Sequence, residues 1–282
     1  MSRIYRALEK VEEEKKQRMK EEPSPEVFEE KAILKREVPT LKFPEEKMGE
    51  FRLPSEEEAP ISIALADSFS VEEFRKLKTQ IFLRLPNPPH SILVTSTAPQ
   101  EGKTTVAVNL AMAISNEINK KAILIDGDLR KPDIHFGKSR NSKGLSNYLQ
   151  DGIPFSEILI NSGMENLRII PAGPSTSKSS ELIGSKRMGE LLKSLTESGD
   201  STYIIIDSPP IISTAEPILL SKLVDGIILV VKANQTHKEA VLRAVNGLDR
   251  EKIIGVVLNQ IDLKSQTYYG KDYYRYYGKY GK

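Results

Sequence analysis

Gly102-Lys103-Thr104 is the first place in the chain where residue type and spacing together specify chemistry. Backbone N–H groups of such a loop, and the N-terminus of a following helix, concentrate partial positive charge that suits phosphate oxygens. Lys103 adds a full charge at the outer phosphates, and the Thr104 hydroxyl is a hard-oxygen ligand for Mg2+. Ala98, Pro99, Gln100 and Glu101 complete a phosphate loop in front of them, and Thr105 follows. Thr97 stands where the usual pattern has its first glycine. Two further runs end in carboxylates. Ala122-Ile-Leu-Ile-Asp-Gly-Asp-Leu-Arg-Lys-Pro132 carries Asp126 and Asp128, two apart, so both can face one ion where a strand loosens into a loop. Tyr203-Ile-Ile-Ile-Asp-Ser-Pro-Pro210 carries Asp207, at the position from which an aspartate supports Mg2+ beside a phosphate loop. Arg130 adds a cation that could steady transferring phosphate charge. One terminal aspartate would more often be a cap or turn residue, but three beside a phosphate loop point to phosphoryl chemistry.

These groups need a sheet edge to hold them. Short, nearly continuous apolar runs at residues 91–95, 122–125, 167–170, 203–206, 226–231 and 253–258 read as strands buried on both faces of a parallel sheet. Helical stretches near 104–116, 189–197, 217–223 and 238–248 read as the crossovers, preceded by a helix from about Ser70 that ends before Pro86. The prediction is an α/β, doubly wound, mostly parallel P-loop NTPase domain over about 68–263. Ligands of open α/β sheets bind at the carboxyl ends of the strands, which is where the three aspartates fall.

The rest of the chain differs in composition. Of 282 residues none is Cys or Trp and three are His, which removes disulfides, thiolate chemistry and Cys- or His-rich metal sites and suits a reducing cytoplasm. His90, His135 and His237 are scattered between elements and read as solvated or capping side chains. No run approaches the ~18 apolar residues of a membrane span. A formal net charge of only +2 argues against a dedicated nucleic-acid binder. Residues 1–60 nevertheless hold 13 Lys/Arg and 16 Glu. Within them, 1–20 reads as a short helix with one stripe, Ile4, Ala7, Leu8 and Val11, either a plain surface helix or a docking helix for a partner. Residues 21–67 read as a charged, Pro/Glu-rich disordered linker. Seven of the ten tyrosines lie in the last 15 positions, inside a segment, 264–282, with no helical or strand period that reads as a flexible tail.

Together, the loop Ala98-Pro-Gln-Glu-Gly-Lys-Thr104, the Walker A′ run Ile125-Asp-Gly-Asp-Leu-Arg-Lys-Pro132, the Walker B run Ile206-Asp-Ser-Pro-Pro210 and the tyrosine cluster resemble the bacterial tyrosine kinases of capsule and exopolysaccharide synthesis. The resemblance covers about 70–262 and the tail, with weaker echoes in Gly144-Leu-Ser, Pro171-Ala-Gly, Ser180-Glu-Leu-Ile and Val257-Leu-Asn259. It implies an ATP- and Mg2+-dependent autokinase. Lys103 and Thr104 would hold the triphosphate and metal, Asp126, Asp128 and Asp207 would organise the metal, and Asp126 or Asp128 would accept the proton of the attacking tyrosine. Tyr268, Tyr269, Tyr273, Tyr274, Tyr276, Tyr277 and Tyr280 would be the phospho-acceptors, entering a neighbour's site. The family's E-x-x-R-x-x-R ring-assembly segment falls on Glu72, Arg75 and Lys78, where lysine in place of the last arginine loses the bidentate fork. The resemblance further implies a separate membrane-bound polysaccharide co-polymerase as activator, an opposing protein-tyrosine phosphatase, a homo-oligomeric ring when unphosphorylated, and a cytoplasmic site at the inner membrane face reached through that partner.

Four rival readings are open. A MinD/ParA-like switch ATPase would carry an extra lysine where Ala98 stands. A GTPase would use Asn259-Gln-Ile-Asp262 as a guanine reader, but Gln260 replaces its lysine, so adenine is the better match, with Asn259 near the base. A degenerate scaffold would report nucleotide occupancy only. The aromatic, cationic tail alone would also suit RNA or polysaccharide.

Overall fold

The computed structural model describes residues 68–132, 143–199 and 201–261. The N-terminal helix, the linker, the tail with its seven tyrosines, Asp262 and His135 lie outside the described residues.

The first described element is helix α1 (Ser68–Arg84), which the proline-rich stretch Pro86-Asn-Pro-Pro89 prevents from continuing. It is followed by β1 (Ser91–Ser96), α2 (Lys103–Ser115), β2 (Lys121–Asp126), α3 (Leu145–Asp151), β3 (Ile160–Asn161) and β4 (Leu167–Ile170). Then come α4 (Ser179–Ile183), α5 (Lys186–Thr196), β5 (Thr202–Asp207), α6 (Glu216–Leu223), β6 (Gly226–Lys232), α7 (Lys238–Gly247) and β7 (Ile253–Asn259). The strands form one sheet in the order β3-β4-β2-β5-β1-β6-β7, parallel throughout except for the antiparallel edge strand β3.

All six strands read from the sequence are present. β3 is an addition to them, since two residues carry no period. α3 and α4 are additions too: at seven and five residues they are about two turns or less, too short for a helical stripe. α5 begins three residues before the expected 189, because Ser185 caps it by accepting the Met188 N–H at 3.3 Å.

The continuous apolar runs work as the two-sided burial rule requires. On β1, β2 and β5, Leu93, Ile123, Ile125, Ile204 and Ile206 face one core with α3 to α6. Ile92, Val94, Ala122, Leu124, Tyr203 and Ile205 face the other, against α1 and α2. Because β1, β2 and β5 to β7 run in parallel, their C-terminal loops all open on one edge. Among the described residues no helix is long and apolar enough to cross a membrane.

Candidate active site

β1 delivers the chain into the loop 97–102, and α2 leaves it at Lys103. Gly102 caps α2 in the left-handed region, φ 88°, and a Cβ there would collide with Asn259 Nδ2. Conformation and space both demand glycine. The loop is latched from the last strand: Asn259 Nδ2 donates to the Glu101 carbonyl at 2.9 Å, and Gln260 Nε2 to that of Gln100 at 3.0 Å. Asn259, the residue expected near a base, thus also holds the phosphate loop.

Glu101 is buried, and its carboxylate turns back into the loop. It accepts from the Thr97 hydroxyl at 2.7 and 2.8 Å, from the Ala98 N–H at 3.0 Å, and from the Thr236 hydroxyl beyond β6. This accounts for the missing first glycine. Thr97 supplies a hydroxyl that satisfies lone pairs of a buried carboxylate, which glycine could not.

The three expected aspartates come together at the strand ends. Asp126 and Asp207 are register partners on β2 and β5, and both are fully buried. Thr104 Oγ1 donates to Asp207 Oδ2 at 2.7 Å, and Lys103 Nζ donates to Thr104 Oγ1 at 3.1 Å, so the phosphate loop and the β5 carboxylate form one chain of contacts. Gly127 N donates to the Asp207 carbonyl at 2.8 Å, where a Cβ on Gly127 would come within 2.7 Å of that oxygen. Asp126 Oδ1 accepts from the Asp128 N–H at 3.0 Å and Asp128 Oδ1 from the Lys131 N–H at 2.9 Å, which fixes both carboxylates in the turn after β2. Among the described residues no group of three or more His, Cys, Asp or Glu stands close enough to hold an ion alone. The oxygen donors present, Thr104 and Asp207 with Asp126 beside them, fit Mg2+, which takes one or two carboxylates and completes its shell with waters and substrate phosphates.

Arg130, expected to face phosphate, is held by a residue that sequence reasoning missed. Its Nε donates to Glu216 Oε1 at 2.9 Å and to Ser179 Oγ at 3.0 Å, and its Nη2 to Ser180 Oγ at 3.3 Å. Glu216 is the first residue of α6 and fully buried. Burial raises its pKa, but hydrogen bonds, led by that from the Ser179 hydroxyl and joined by the Arg130 guanidinium, outweigh that and hold it at about 2. In the sequence, an acid before Pro217 marks only a helix start; nothing there signals burial.

Of the ring-assembly residues, Glu72 and Arg75 pair with each other at 3.5 Å on the exposed side of α1. Lys78 pairs within the chain with Glu117, just past α2.

Known proteins of similar sequence and fold point the same way as this geometry. The chain matches the AAA domain family over residues 94–252. It is 32% identical over 222 residues to tyrosine-protein kinase YwqD of Bacillus subtilis, covering 77% of this chain and 90% of that protein. The fold is similar to the crystal structure of the chimerical protein CapA2B2, with TM-score 0.64 and 32% identity over 70% of this chain and 86% of the other. It is similar also to the kinase domain of Escherichia coli tyrosine kinase ETK, with TM-score 0.63 and 28% identity over 70% and 77%. A phosphate loop tied to a strand-end aspartate on a doubly wound sheet, and a tyrosine kinase matched over nearly its whole length, place the chain in one family: it belongs to the bacterial protein-tyrosine kinases.

Proposed function

We propose that this kinase transfers the γ-phosphoryl group of ATP to tyrosines of the C-terminal tail, chiefly between copies of the chain, as a regulator of exopolysaccharide or capsule synthesis and export. The observation that carries the reading is the continuous contact Lys103–Thr104–Asp207, with Asp126 as the register partner of Asp207. Lys103 would meet the β- and γ-phosphates, the N-terminus of α2 would cradle them, and Thr104 and Asp207 would hold the metal. A Mg2+ held there would supply positive charge to offset that of the phosphates. Asp126 or Asp128 accepts the proton of the attacking tyrosine hydroxyl, and Arg130 meets charge on the transferring group. Little covalent chemistry is asked of the protein; positioning and charge neutralisation carry the rate.

The tail is the substrate. Seven tyrosines lie among five Lys/Arg from Lys264 onward, so the unmodified segment is attracted to an acidic strand edge. Each phosphate adds about −1.5 to −2 charge, so full modification changes the tail by roughly −10 to −14 and repels it from the same edge. Phosphorylation then loosens a ring of copies and its contact with a membrane-bound polysaccharide co-polymerase, the activator that recruits the kinase to the inner membrane face; a protein-tyrosine phosphatase resets it. The parts divide the work: 68–263 catalyses, 264–282 accepts, and the arm 1–67 reaches and docks.

Incubation of the purified full chain with ATP·Mg2+ tests this directly. Phosphotyrosine is expected in the wild type, and is expected to vanish in Lys103→Met and in a chain truncated after Lys264. Phosphotyrosine that survives Lys103→Met overturns the assignment.

A further inference from the structure

Glu216 has no part in the reaction scheme above, yet it is the buried anchor of a side chain that does. Its Oε1 receives three donors: Arg130 Nε at 2.9 Å, Ser180 Oγ at 3.0 Å, and Ser179 Oγ. The two hydroxyls also accept from the guanidinium, so carboxylate, hydroxyls and arginine close into rings. These partners come from three separate elements: the exit of β2, the first turn of α4 and the first residue of α6. A guanidinium is a planar fork of five fixed donors, and once Nε and Nη2 are engaged its plane has little freedom left. The Arg130 side chain nevertheless stays 46% exposed, while Glu216 is fully buried. The network thus fixes the orientation of a cation that still reaches solvent and can meet a ligand there.

The other side of the carboxylate points the same way. Glu216 Oε2 and the neighbouring Thr214 Oγ1 are both buried and make no hydrogen bond of good geometry among the described residues. Of the three donors on Oε1, only Arg130 Nε carries a full charge. A buried anion is retained where its charge acts on something else, and the cation it pairs with is Arg130.

We propose that Glu216 is a positioning residue for phosphoryl transfer: anchored at the N-terminus of α6, it holds Arg130, with Ser179 and Ser180, in the orientation that meets the transferring phosphate. This deepens the kinase reading and rests on it. Glu216 touches neither nucleotide nor acceptor. It acts through Arg130, and so should govern the rate of transfer and not nucleotide affinity.

The test is a double-substitution cycle on the full chain: wild type, Glu216→Gln, Arg130→Ala and the pair, each measured for kcat and KM for ATP by phosphotyrosine formation and by ADP release, with melting temperature alongside. Glu216→Gln is expected to lower kcat about tenfold while KM for ATP stays within about twofold. The double variant is expected to be no slower than Arg130→Ala alone, because once the arginine is gone its anchor has nothing to position. A wild-type kcat for Glu216→Gln, or losses that multiply in the double variant, overturns the proposal. If Glu216→Gln fails to fold, Ser180→Ala replaces it. That variant removes one exposed-side contact of the fork and leaves the buried carboxylate, and it too must lower kcat at constant KM. A wild-type rate for Arg130→Ala takes Arg130 out of the chemistry and overturns the proposal while leaving the kinase reading standing; phosphotyrosine in Lys103→Met overturns the kinase reading itself.

Discussion

What surrounds a residue decides what its type can do here, and two residues show how. Gly102 is confined by φ 88° and by Asn259 Nδ2, which occupies the space a Cβ would need. Gly163 has nearly the same φ, 87°, but nothing within 4 Å. Gly102→Ala should therefore weaken ATP binding by about tenfold or more, since displacing Asn259 releases the loop it latches. Gly163→Ala should leave binding unchanged; fluorescent-nucleotide titration of both variants checks it. Glu216 makes the second case. Its pKa in the fold, about 2, lies below the ordinary 4.5, so its ionisation favours the folded state at all pH above about 4.5, and that contribution is lost as pH falls towards 2. The full contribution is about 3 kcal/mol. Denaturant melts of wild type and Glu216→Gln at pH 7, 5, 4 and 3 should show the wild type losing its stability more steeply over the acid interval, while the two change in parallel between pH 7 and 5. Both residues stand in the sequence, but only Gly102 is legible there, because a glycine before Lys-Thr belongs to a known local geometry. Glu216 differs from any helix-capping acid only in what surrounds it.

Among the elements, α1 is held to the domain by contacts that hydrophobic periodicity only half reveals. Ile81 is buried, with Phe74, Leu77, Phe82 and Leu85 packed beside it against the α2 side of the sheet. Phe82 also meets the Tyr203 ring edge-on at 4.8 Å and lies 3.4 Å beneath the Lys120 ammonium. His90 stacks on the same Tyr203 at 5.0 Å. Burial lowers the Lys120 pKa, with the Glu117 charge opposing, and the hydrogen bond from Lys78 is the main cause of the lowered pKa of Glu117. Phe82→Ala should cost about 2 kcal/mol, part lost burial and part the lost aromatic and cation–π contacts. Thermal melting checks it, and Phe82→Leu should recover the burial share only. Lys78, read from the sequence as a ring-assembly residue, is engaged within its own chain by Glu117, a partner 39 residues away. Spacing along a helix identifies a face; it does not identify what sits against that face.

In the molecule as a whole, the sheet order turns scattered runs into one site. β1 lies between β5 and β6, and β2 pairs with β5. The loop that follows Ser96, Asp126 and Asp207 therefore meet at one edge, although each ends a different strand and crossover helices separate them in the chain. Transfer between copies makes a prediction on this level. A chain truncated after Lys264 keeps its catalytic domain but no acceptor, and Lys103→Met keeps its acceptor but no catalysis. Mixed with ATP·Mg2+, the two should place phosphotyrosine on the Lys103→Met chain alone, as anti-phosphotyrosine blotting after separation by size would show. No signal in the mixture, with full signal in wild type, would confine transfer to a single chain. The nucleotide loop, the three strand-end aspartates and the six long strands are legible in the chain without its fold, because each is a local pattern: a residue spacing, or an apolar run with a turn behind it. Three contacts are not. Asn259 latches the phosphate loop, Thr236 reaches the Glu101 carboxylate from beyond β6, and Glu216 anchors Arg130. The longest of them joins residues 158 positions apart, and burial and approach at such range are set by how the sheet orders its strands, which no window of sequence contains.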